Sequence, residues 1–125
     1  MDVWDIEQHQ WKPHRPEILV SSDHGRAIVL DLPAGEMLRE HQVHEAAWIT
    51  VVSGEVSITD DAGQAIDARP GVVVHMEPKE RHEVLARTDA RLLLLLAPWP
   101  GEGHPGAMTL EEKAGVRRRA AERAA

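Results

Sequence analysis

Residues 35–55 read GEMLREHQVHEAAWITVVSGE, in which Gly35 and Gly54 enclose two short runs, Met37 to Val43 and Ala46 to Ser53. The second run is dense in branched and aromatic residues (Trp48, Ile49, Thr50, Val51, Val52). Such side chains pack well on a pleated surface and lose rotamer freedom in a helix, so both runs read as strands. His41 and His44 stand where the first run gives way to the second.

Working outward, the same pattern continues on both sides. Further strands are expected at Glu17 to Val20, Arg26 to Leu32, Glu55 to Thr59, Gln64 to Ala68, Val72 to Met76, Arg81 to Ala86 and Arg91 to Leu96. In Glu55 to Thr59 polar and apolar residues alternate, which turns Val56 and Ile58 to the core and the others to water. Asp60-Asp61-Ala62-Gly63 then supplies a turn and makes this a hairpin. Many short strands separated by turn residues predict an all-β sandwich or barrel. Leu92 to Leu96 is apolar on both faces. One face therefore fills the barrel, and the other needs cover from the N-terminal arm, the C-terminal segment or a partner.

The barrel, residues 17–98, lies between two flanks. Residues 1–16, with Trp4, His9, Trp11, Pro13, His14 and Pro16, show no periodicity and predict an irregular arm that docks by its tryptophans or frays. Residues 99–125 begin with a loop rich in proline and glycine that carries His104. A short helix follows, opened by the capping box Thr109-Leu110-Glu111-Glu112.

With 125 residues, 42% hydrophobic and 28% charged, the chain has the balance of one globular domain with one core. A net charge of −7 argues against a nucleic-acid partner, and Arg117, Arg118, Arg119 and Arg123 read as the solvated face of the terminal helix. The longest apolar run ends at Pro98, well short of the roughly 20 residues that span a bilayer, so no membrane partner is expected. No secretory signal opens the chain and cysteine is absent, which suits a cytoplasmic location. Phosphate loops, nucleophile elbows and His-Glu-x-x-His helices are also absent.

Residues 35–55 resemble the first motif of the cupins: a glycine, a His-x-His pair, a glutamate and a closing glycine, with Gly35, His41 and Gly54 at family spacing. Residues 70–82, PGVVVHMEPKERH, resemble the second motif through Gly71 and His82. The resemblance runs from Glu17 to Pro98 and implies a small jelly-roll barrel, a double-stranded β-helix. In that family two histidines and a glutamate of the first motif, with the histidine of the second, hold a divalent metal. Here Val43 stands at the second histidine position and Ala47 at the glutamate position, while Lys79 and Glu80 stand where a glycine is usual.

Eight histidines in a chain without tyrosine or phenylalanine make imidazole the leading candidate for site chemistry. One reading is a metal-free pocket lined by His41, Trp48 and His82. Another is a metal site of His41, His44 and His82 for zinc, iron, nickel or manganese, which needs a bulge to turn His44 inward. His75 joins either site only if odd-numbered residues of its strand point inward.

The first reading makes the protein a small-molecule binder, with or without a divalent metal. The second makes it a metal-dependent cupin enzyme of the dioxygenase or isomerase type. A regulatory or storage scaffold is a third, built as a homodimer through Leu92 to Leu96 and the Trp4 and Trp11 arm. Whether the chain is an enzyme stays open at this level.

Overall fold

The computed structural model describes residues 1–41 and 45–97, with the backbone alone for Arg39, Glu40 and His41. Its strands are β1 (Glu17–Ser22), β2 (Gly25–Leu32), β3 (Met37–His41), β4 (Ala46–Ser53), β5 (Val56–Thr59), β6 (Ala65–Ala68), β7 (Val73–Met76), β8 (His82–Ala86) and β9 (Ala90–Ala97). Each corresponds to an expected run, with ends moved by a residue or two. The expected C-terminal helix lies outside the described residues, as do Gln42, Val43 and His44.

The strands form two antiparallel sheets, one of five strands in the order β1-β2-β9-β4-β7 and one of four in the order β3-β8-β5-β6. Sequence neighbours often fall in opposite sheets, the connectivity of a jelly-roll barrel. Among the described residues, no helix is long and apolar enough to cross a membrane.

The core lies between the sheets and follows from alternation along each strand. Ala47, Ile49 and Val51 of β4 point inward with Leu92 of β9, and Val84 and Ala86 of β8 meet them from the other sheet. Val56 and Ile58 are buried in this core, as their alternation requires. Ser57, expected in water, is buried too. It sits on the inner strand β5 between its register partners Asp67 and Leu85, which screen so small a side chain.

The leucine strand β9 occupies the centre of its sheet, paired along its length with β2 and β4. Leu92, Leu94 and Leu96 pack into the barrel, while Leu93 and Leu95 alternate onto the outer face. The arm covers one end of that outer face. Arg91, buried beside Asp31, donates from Nη1 to the carbonyls of Ile6 and Glu7 at 2.8 and 3.3 Å, and Trp11 lies 5.5 Å from its guanidinium. Pro13 bridges to Asp31, and the Lys12 amide donates to Asp31 Oδ2 at 2.9 Å. Farther along the arm, His9 Nε2 meets Glu17 Oε2 and Lys12 Nζ lies 3.5 Å from Glu17 Oε1. The arm thus docks on its own barrel, chiefly through a buried arginine, with Trp11 as a lid on it.

Candidate functional site

His82 opens β8, a strand on which His82, Val84 and Ala86 alternate into the interior. Only 2% of His82 is exposed. Its Nδ1 lies 3.5 Å from the carbonyl oxygen of Glu80, and the residue has further interactions with its surroundings. An imidazole in an aliphatic interior must recover its lost hydration through polar partners, which sets this position apart from its neighbours Val84 and Ile58.

The strand is delivered by a tight turn after β7. The Glu80 amide donates to the Glu77 carbonyl at 3.1 Å, and Lys79 takes a left-handed φ of 68°. That conformation favours glycine, which explains why the related motif carries one near this place. The Arg81 amide donates to Asp61 Oδ1 at 2.9 Å and ties the turn to the β5–β6 hairpin.

Across the sheet, His41 is the register partner of His82. The pairing is irregular: Leu38 faces Val84, and an unshifted ladder would set Glu40 opposite His82. A one-residue bulge between Leu38 and His41 brings the histidine there instead. The structure therefore joins the backbones of the two motif histidines, one residue from each motif, at one end of the four-stranded sheet.

It does not bring Trp48 to them. Trp48 stands between Ala47 and Ile49, both in the core, so its side chain leaves from the opposite, outer face of the five-stranded sheet. There it meets His75, with ring centroids 4.8 Å apart. His75 is outward because Val74 and Met76 take the inward positions of β7. Sequence reasoning placed Trp48 in the pocket from its closeness to the motif, whereas strand parity decides the matter.

Among the described residues, no group of three or more His, Cys, Asp or Glu side chains is placed to hold a metal ion. His82 is the one member of the expected metal set whose side chain is described. His44 and the His41 side chain lie outside the described residues.

The Asp31–Arg91 pair and its hold on the arm escaped the sequence reading. The available signal was a lone acid inside the apolar run of β2 and a lone base at the head of β9. Nothing in the sequence says that the two are cross-strand neighbours.

Residues 28–98, more than half of the chain, match the cupin domain family. An L-ectoine synthase of Nocardia farcinica is 35% identical over 68 residues, covering 54% of this chain and 52% of that protein. The chain thus spans about half the length of this curated relative. Among solved structures, an RmlC-like cupin of Desulfovibrio desulfuricans superposes with a TM-score of 0.70 at 22% identity, covering 78% of this chain and 96% of that one. KdgF from Halomonas superposes with a TM-score of 0.66 at 18% identity, covering 78% and 95%. These likenesses carry the fold. With the two-sheet barrel and the family match over residues 28–98, the chain belongs to the cupins.

Proposed function

We propose that the protein binds a small polar molecule at the end of the barrel where His82 and His41 are cross-strand partners. The observation that carries this reading is the near-complete burial of His82 on the inward face of β8, directly opposite the histidine of the first motif. Aliphatic walls with a few convergent polar groups are the usual make-up of a small-molecule site. The likeness to an L-ectoine synthase makes L-ectoine the first compound to try.

Titration calorimetry on the full chain, starting with L-ectoine and extending to other small zwitterions and carboxylates, tests the reading. We expect a compound whose affinity falls about ten-fold or more in His82→Ala, the loss of one buried hydrogen bond to a ligand. Compounds that bind His82→Ala as tightly as the parent would overturn it.

A second reading, a divalent metal at the same end of the barrel, is favoured by the same register of two imidazole-bearing residues. It requires stoichiometric zinc, iron, nickel or manganese in protein purified without a metal-affinity tag, and loss of that metal in His41→Ala. Metal-free protein that still binds the small molecule would set it aside.

A further inference from the structure

The barrel end that holds His82 also carries an ion pair, which strand parity sets on the inner face of the five-stranded sheet. A row of register partners crosses that sheet: Arg26 of β2 faces Leu96 of β9, Leu96 faces Ala47 of β4, and Ala47 faces Met76 of β7. Ala47 and Met76 belong to the core and Leu96 packs against it, so the row lies on the inward side and Arg26 leaves from that side too. The turn of residues 77–81 joins Met76 directly to His82, which puts the row and the buried histidine at the same end of the barrel, one on each sheet. Glu45, two residues ahead of Ala47, shares its parity. Arg26 and Glu45 come from the strands on either side of β9, and their contact passes over its Leu96 end, with Nη2 4.0 Å from Oε1.

This pair is loose. A charge-assisted N–H···O bond is about 2.7–2.9 Å long, so at 4.0 Å the two charges attract without a hydrogen bond between them. The Glu45 side chain is only 16% exposed and that of Arg26 41%. A carboxylate so far out of water, with its countercharge at that distance, leaves electrostatic stabilisation unrealised. We propose that the pair receives a small zwitterion, its carboxylate on the Arg26 guanidinium, its cationic nitrogen on Glu45 and its carbon skeleton over Leu96. The proposal rests on the ligand site at His82 and supplies the class of compound that site takes. Charge decides the class. A zwitterion exchanges one long contact for two close ones, and the planar guanidinium matches its carboxylate with two parallel hydrogen bonds. A plain carboxylate would pair with Arg26 but set its charge beside Glu45, and a plain amine would meet the converse repulsion from Arg26.

Titration calorimetry on the full chain tests this with L-ectoine, 4-aminobutyrate and L-proline, and with N-acetyl-L-proline and L-proline methyl ester as the matched anion and cation. The zwitterions are expected to bind the parent about ten-fold or more tighter than the two derivatives, and to lose about ten-fold or more in Arg26→Gln and in Glu45→Gln. The derivatives separate recognition from a merely structural role. N-acetyl-L-proline gains affinity in Glu45→Gln and loses it in Arg26→Gln, whereas damage to the fold would weaken every compound in both variants. Both positions lie at the rim and glutamine keeps most of their bulk, so far-ultraviolet circular dichroism should stay native. Zwitterions that bind both glutamine variants like the parent but lose affinity in His82→Ala would overturn the proposal and leave the ligand site standing. Indifference to His82→Ala as well would overturn both. Failure of every zwitterion to bind the parent, or an acetylated compound that binds it as tightly as its zwitterion, would also overturn the proposal.

Discussion

Asp31 and Arg91 are register partners across β2 and β9, and their side chains meet in a two-pronged ion pair, Nε 2.6 Å from Oδ1 and Nη2 3.2 Å from Oδ2. Both side chains are almost fully buried. A planar guanidinium matches a carboxylate in this geometry, and its remaining donor reaches the carbonyls of the arm.

Breaking such a pair from one side leaves an uncompensated buried charge. Arg91→Ala is therefore expected to cost about 3–5 kcal/mol, read from urea unfolding. It also releases the arm, so chymotrypsin cuts after Trp11 faster than in the parent under native conditions. Asp31→Leu combined with Arg91→Met recovers much of the stability and none of the arm's protection, because an apolar pair packs but offers Ile6 and Glu7 no donor.

The two motif glycines have different duties. A Cβ on Gly54 would stand 2.1 Å from the Asp89 carbonyl oxygen and 2.7 Å from Ala90 Cα, both backbone atoms that cannot swing aside. A Cβ on Gly35 would meet nothing within 4 Å. Gly35→Ala thus costs only its left-handed backbone, about 1–2 kcal/mol. Gly54→Ala costs more than about 3 kcal/mol or abolishes folding. Comparing urea midpoints checks the difference, and equal losses would contradict it.

Lys79 holds a left-handed φ of 68° in the turn ahead of His82. Lys79→Gly relieves that conformation and is expected to raise stability by about 0.5–1 kcal/mol in thermal or urea unfolding. A fall in stability would mean that the contacts of the lysine side chain outweigh the backbone relief.

Glu17 gives the arm a dependence on acid. Burial raises its carboxyl, but the hydrogen bond and charge of His9 and the charge of Lys12 outweigh this and hold the pKa below its ordinary 4.5. A carboxyl lowered on folding contributes stability above its unfolded pKa and loses that contribution as pH falls through the folded value. Between neutral pH and about pH 3 the parent should lose this increment, whereas Glu17→Gln, lacking it at neutral pH, should lose less over the same interval. Unfolding midpoints at the two pH values decide it, and parallel losses would count against the linkage.

Much of the fold was legible because strand alternation and turn chemistry are local. Val56 and Ile58 declare their face within five residues. At the β5–β6 turn, Asp60 Oδ1 accepts from the amides of Ala62 and Gln64 at 3.0 and 2.9 Å, while Gly63 takes a positive φ, as the Asp and Gly there announced. The burial of His82 was legible, and the outward position of Trp48 was not. His82 is inside because its strand alternates with Val84 and Ala86, but Trp48 was misplaced because nearness along the chain says nothing about which side of a sheet a residue leaves from.

The sequence by itself determined the strands, their turns, the two cupin motifs and the need for cover over both faces of Leu92 to Leu96, since each depends on residues a few positions apart. Only the tertiary structure decided that His41 rather than Glu40 faces His82, that Asp31 and Arg91 clamp the arm, and that Trp48 meets His75 on the outer face. Those relationships join residues up to 85 positions apart. They are set by register between strands, where a shift of one residue exchanges the two faces.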